Sequence, residues 1–140
     1  MRIKNYKGAG VMLFRFNQDC DEYEVLLGKR SIRRGYGKWA IPGGGKESFD
    51  SDFYACACRE LREETGVEIS DLKAENLAEV CTDIPYFHWR TFIVLTSGDF
   101  PAFKPREFSE LRWFPISQMG QIDLWINLKR ELKVFDRICK

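Results

Sequence analysis

The stretch from Gly43 to Val67, GGGKESFDSDFYACACRELREETGV, limits what this chain can fold into more than any other. Three glycines after Pro42 read as a flexible loop, and the residues behind them can form about four helical turns. Gly66 is placed to stop that helix as a C-terminal cap. At about 100° per residue, Glu60, Glu63 and Glu64 project from one side of the helix. Tyr54, Cys58, Leu61 and Thr65 fall on roughly the other side, as a stripe expected to face the core. Three carboxylates on one face repel one another unless something cationic sits among them. An oxygen-rich acidic cluster of this kind suits a hard divalent cation such as magnesium.

The flanking sequence supplies strands. Gly8 to Phe16 is a mostly apolar run suited to a buried strand, and Glu22 to Gly28 forms a hairpin with it across the polar turn 17–21. Ser31 to Lys38 is a basic, glycine-containing loop, and Trp39 to Pro42 a short extended piece. After the helix, residues 67–76 read as a connection and Leu77 to Thr82 as a short strand. Phe87 to Thr96 is the clearest strand, rich in aromatic and β-branched residues. Ser97 to Phe108 reads as a loop, Glu110 to Phe114 as a strand, and the apolar pattern from Ile122 to Ile138 as a closing amphipathic helix. Strands on both sides of a central helix predict an α/β fold with a mixed β-sheet sandwiched between helices. The 140 residues fit one domain, and we expect 1–140 to be one.

Composition excludes more than it identifies. A formal net charge of +1 gives no global basic field for wrapping DNA or RNA, which leaves small anionic ligands held by local clusters. No apolar run of about 20 residues predicts a membrane span, and the N-terminus does not read as a signal peptide. Five cysteines (Cys20, Cys56, Cys58, Cys81 and Cys139) lack zinc-site spacing and read as reduced thiols packed as small hydrophobes. A cytoplasmic setting is the resulting expectation.

The glycine loop and the Arg59-Glu60-Leu61-x-Glu63-Glu64-x-Gly66 end of the helix together resemble the Nudix box, G-x5-E-x7-R-E-U-x-E-E-x-G-U with U aliphatic. Gly45, Arg59, Glu60, Leu61, Glu63, Glu64, Gly66 and Val67 match it. The first glutamate of the pattern does not: counting back from Arg59 it becomes Ser51, and counting forward from Gly44 it becomes Asp50. The resemblance implies a Nudix-type α/β/α sandwich and hydrolysis of a nucleoside diphosphate linked to another group, with Mg2+ or Mn2+. It implies Glu63 and Glu64 as principal metal ligands, Glu60 as a third ligand or a base, and a backbone carbonyl of Gly44 or Gly45 as a further oxygen donor. Arg59 is expected to pair with Glu63 and hold it. A general base outside the helix is expected at Glu107 or Glu110.

For the substrate, Arg30 ranks first as a phosphate contact, ahead of Arg33, Arg34, Lys38 and Arg90. Tyr36, Tyr86, Phe87 and Trp89 are candidates to stack on a nucleobase. The expected substrate is a nucleoside triphosphate, damaged ones included, with ADP-ribose, nucleotide sugars and dinucleoside polyphosphates as rivals. A nucleotide-sensing module without catalysis is the rival of another class. A homodimer is in keeping with the family.

Overall fold

The computed structural model describes residues 4–32, 34–97 and 107–139. Arg33 lies outside the described residues. Strand β1 (Tyr6–Asn17) and strand β2 (Glu22–Arg30) form the expected hairpin, with Phe14 opposite Val25 and Asn17 opposite Glu22. They are followed by β3 (Trp39–Ala40), β4 (Gly43–Gly45), helix α1 (Phe53–Thr65), β5 (Lys73–Ile84), β6 (Phe87–Ser97), β7 (Phe108–Pro115) and helix α2 (Lys129–Ile138). The main path of the sheet runs β3-β2-β1-β6-β5, with β4 added to β1 and β7 to β2. Because β1 and β6 are parallel and the other pairs antiparallel, the sheet is mixed, as expected.

Alternation along the central strands divides the interior in two. Ala9, Val11 and Leu13 of β1 face α1 with Leu26, Phe92 and Val94, against Cys56, Ala57 and Leu61 of the helix. Met12, Phe14, Val25, Leu27 and Ile93 face the other way, against Leu128 and Phe135 at α2. Phe14 and Phe135 stack with ring centroids 3.7 Å apart. A strand covered on both faces reads as a continuous apolar run, which is why Val11 to Phe14 shows no alternation.

Four local expectations change. The glycines 43–45 are not a flexible loop but strand β4, paired with β1 so that Gly8 opposes Gly45 and Gly10 opposes Gly43. Strand β5 starts at Lys73, not Leu77, because it pairs with β6 along its whole length from Lys73↔Ser97 to Ile84↔Phe87. The closing helix starts at Lys129, not Ile122. Residues 123–125 are held extended beside β3, where Trp39 N–H donates to the Asp123 carbonyl and Trp125 N–H to the Trp39 carbonyl, both at 2.9 Å. The buried stripe of α1 is Cys56, Ala57, Leu61, Glu64 and Thr65, so Tyr54 and Cys58 are only partly covered and Glu64 lies on the sheet side.

Among the cysteines Cys56 is buried, whereas Cys20 and Cys81 are exposed and do not pack as small hydrophobes. Among the described residues no helix is long and apolar enough to cross a membrane.

Candidate active site

Helix α1 begins at Asp52, whose side chain accepts from Ala55 N–H at 2.8 Å, and ends at Gly66 in the left-handed conformation (φ 77°). These two caps fix which residues of the box face the sheet. Arg59 is the hub of the outer side. Its Nε and Nη2 donate to the two oxygens of Asp50 at 3.0 and 2.9 Å, its Nη1 to Glu60 and Glu63 at 3.2 and 3.1 Å, and its Nη2 to the Gly45 carbonyl at 3.0 Å. Asp50 also accepts from Glu47 N–H at 2.8 Å. The Arg59 guanidinium, with that amide, holds the Asp50 carboxyl down at about 2, while its acidic partners raise the pKa of Arg59. Ser51 is exposed and makes no such contact, so Asp50 is the residue that ties the loop to the helix.

The inner side is the opposite case. Gly44 passes so close to the Glu60 carboxylate that a Cβ there would stand 2.6 Å from it. Glu64 is 3% exposed, and its Oε2 is buried with no hydrogen-bond partner. Burial, a hydrogen bond to Glu60 and the charges of Glu60 and Glu107 push the Glu64 carboxyl up to about 10, against a Gly43 N–H that pulls the other way. Glu60 is raised as well, first by burial. Burial thus favours the protonated form of the Glu64 carboxyl, with Glu60 as its acceptor. A buried acidic pair with an orphaned oxygen fits a hard divalent cation, which would replace that proton. Glu63 is half-exposed and drawn to Arg59, and among the described residues no three acidic, histidine or cysteine side chains converge as a ready-made ligand set. The carbonyls of Gly44 and Gly45 are engaged by the Cys56 thiol at 3.7 Å and by Arg59.

Beside this platform, and sharing Gly43 with it, opens a cavity of about 840 Å³. Tyr6, Phe87, Trp89 and Trp125 line it as aromatics and Arg30 as a cation. Phe87 and Trp89 point to the α2 face because they alternate in step with Ile93, and Tyr6 stacks on Phe87 with centroids 5.5 Å apart. Trp89 spreads over Gly8, Gly10 and Gly43, where a Cβ would lie 2.8 to 3.1 Å from its ring. Arg30 lies over the Trp125 ring, 3.5 Å from the centroid, and donates to the Arg34 carbonyl at 2.8 Å. These two contacts hold its guanidinium in place at the cavity wall.

The geometry thus brings together Arg59, Glu60, Glu63, Glu64, Gly44 and Gly45 at the helix, and Arg30, Phe87 and Trp89 at the cavity. Glu107 stands near enough to raise both inner carboxyls, and its main-chain carbonyl is held by Ser31 N–H and Oγ at 3.2 and 2.7 Å. Glu110 is not brought in. It sits opposite Lys29, on the face of Leu27 and Phe114, and pairs with Arg112. Tyr36 is 74% exposed and outside the cavity wall, and Arg90 faces α1, where it lies over Phe53 and pairs with Asp83 and Glu79. Sequence reasoning missed Tyr6, Trp125 and the first turn of α2, which also line the cavity. A tyrosine in step with the glycines of β1 was the available signal for the first of these.

The family model described as NUDIX domain matches residues 5–135. The fold is similar to that of the NUDIX domain of Shewanella oneidensis NrtR complexed with ADP ribose (TM-score 0.73, 19% identity, covering 100% of this chain and 91% of that one). It is similar to a C. elegans Ap4A hydrolase in a binary complex (TM-score 0.75, 16% identity, 96% and 97% covered). It is also similar to a MutT protein from Methanosarcina mazei Go1 (TM-score 0.70, 21% identity, 100% and 99% covered).

Proposed function

The chain belongs to the Nudix family, and from that membership we propose that it is a divalent-metal-dependent pyrophosphohydrolase acting on a nucleoside diphosphate linked to another group. The observation that supports this most is the buried Glu60–Glu64 pair with its unpartnered oxygen, a costly arrangement that a bound divalent cation would relieve. The substrate we favour is a nucleoside triphosphate, cleaved to the monophosphate and pyrophosphate. Glu60 and Glu64, with Glu63 released from Arg59, would hold Mg2+ or Mn2+. When bound, such a cation neutralises the diphosphate and makes its water more acidic.

The protein's own residues have separable tasks. Arg30, fixed over Trp125, takes a phosphate oxygen, and the aromatic cavity takes the nucleoside. Water adds to one phosphorus of the anhydride as the bond to the leaving phosphate opens, and a carboxylate accepts the water proton. Glu107 is the better placed acceptor, since its charge reaches Glu60 and Glu64, whereas Glu110 lies on the sheet face away from α1 and pairs with Arg112.

Incubating the protein with Mg2+ or Mn2+ and a panel of nucleoside triphosphates, ADP-ribose, nucleotide sugars and dinucleoside polyphosphates tests this reading. At least one should yield a nucleoside monophosphate. Tight nucleotide binding without turnover of any of them would instead make the chain a sensor.

A further inference from the structure

Among the described residues two buried side-chain oxygens lack a hydrogen-bond partner: Oε2 of Glu64 and Oε2 of Glu131. The site above absorbs the first and leaves the second. Glu131 lies in the first turn of α2, is 7% exposed, and lines the same cavity as Trp89, Phe87 and Tyr6. Its neighbour Arg130 donates to the Cys81 carbonyl and the Thr82 hydroxyl, and Thr82 is the β5 residue opposite Trp89. That clamp fixes the start of α2 over the strand that presents Trp89. Arg130 is spent there, and Thr91 Oγ1 already accepts from Trp89 Nε1 at 2.9 Å. Three residues after Leu128, a glutamate could fold back to cap its own helix, yet Oε2 does not.

A buried acceptor with no donor, in a cavity walled by aromatic rings, calls for a planar ligand that brings its own N–H groups. We propose that Glu131 is the base-recognition residue of this cavity, accepting from the ring N–H and adjacent amino group of a guanine-type base stacked on Trp89. A carboxylate offers two acceptor oxygens and no donor, which matches that edge. Adenine offers one donor beside a ring acceptor, and hypoxanthine lacks the amino group. The inference deepens the proposed function and rests on the cavity receiving the nucleoside.

Binding of guanosine and inosine 5′-monophosphates, measured by calorimetry, tests it without requiring turnover. Wild-type protein should bind the guanosine nucleotide about tenfold tighter. Glu131→Gln should erase that gap by weakening guanosine alone, raise KM for guanosine triphosphate with kcat unchanged, and leave Tm the same or higher. Equal affinities in the wild type, a gap that survives the substitution, or a lowered Tm with both nucleotides weakened alike would overturn the assignment. A gap that vanishes in Glu131→Gln in a protein that cleaves nothing would uphold Glu131 and remove the hydrolase reading. Brisk cleavage with no base preference would do the reverse.

Discussion

Arg59 and Glu60 are adjacent in the chain, yet the two sides of α1 they open on are built by contrary rules. On the Arg59 side every charge has a partner: the guanidinium meets Asp50, Glu60, Glu63 and the Gly45 carbonyl, and Asp50 also holds Glu47 N–H. On the Glu64 side two carboxyls are pressed together under Gly43 and Gly44, and one oxygen has no partner. The satisfied side is where stability is gained. The unsatisfied side loses stability, since a buried polar group without a partner costs roughly 1–3 kcal/mol. A leucine at 64 would remove that unpaired group, so the buried carboxyl is in keeping with the metal-holding task proposed for it.

Substitutions can break this contrast, and the largest effect is expected at Glu64. Glu64→Gln should lower kcat by about 10²–10³-fold while thermal unfolding moves little or upward. A large drop in Tm with normal turnover would invert the assignment of the two sides. Asp50→Ala should cost roughly 2 kcal/mol of folding stability, by removing two charge-assisted hydrogen bonds from Arg59 and leaving its Nε without a partner, whereas Ser51→Ala should stay within about 0.5 kcal/mol. Chemical denaturation of both variants checks this, and equal losses would return the support role to an open choice between them.

The same pair has a pH signature. Because the folded pKa of Asp50 is depressed to about 2, its contribution is fully present above the ordinary value of 3.8 and disappears as pH falls through about 2. The smallest effect belongs to Glu110→Ala. It should leave turnover unchanged and cost less than about 1 kcal/mol, since only the exposed pair with Arg112 is lost.

What the sequence disclosed and what it withheld follow from where the information sits. The box is contiguous, so helix periodicity alone groups Glu60, Glu63 and Glu64, and Gly66 marks the stop. Periodicity did not show that Glu64 turns under the sheet, because that depends on β4 packing across the helix at Gly43 and Gly44. The choice between Asp50 and Ser51 was undecidable by counting; a turn in which Asp50 N–H donates to the Glu47 carbonyl places Asp50 inward. The cavity was the least legible part. Its walls come from Tyr6, Arg30, the β6 aromatics and residues 125–133, brought together only by the β1–β6 pairing and by the bridge from Trp39 to Leu124. The apolar pattern that suggested a helix from Ile122 belongs in part to that extended bridge.

On the function proposed here, the Glu60–Glu64 pair holds a proton where a divalent cation would bind. Because Glu64 is raised from 4.5 to about 10, stability of the metal-free protein falls as pH rises between those values, and a bound cation removes that penalty. Titrating Mn2+ into the protein near neutral pH, in buffers of different ionisation enthalpy, counts the protons released on binding. About one proton per cation is expected for the wild type, with weaker binding and no release for Glu64→Gln. Tight Mn2+ binding without proton release, or binding unchanged in the variant, would remove the pair from the metal site.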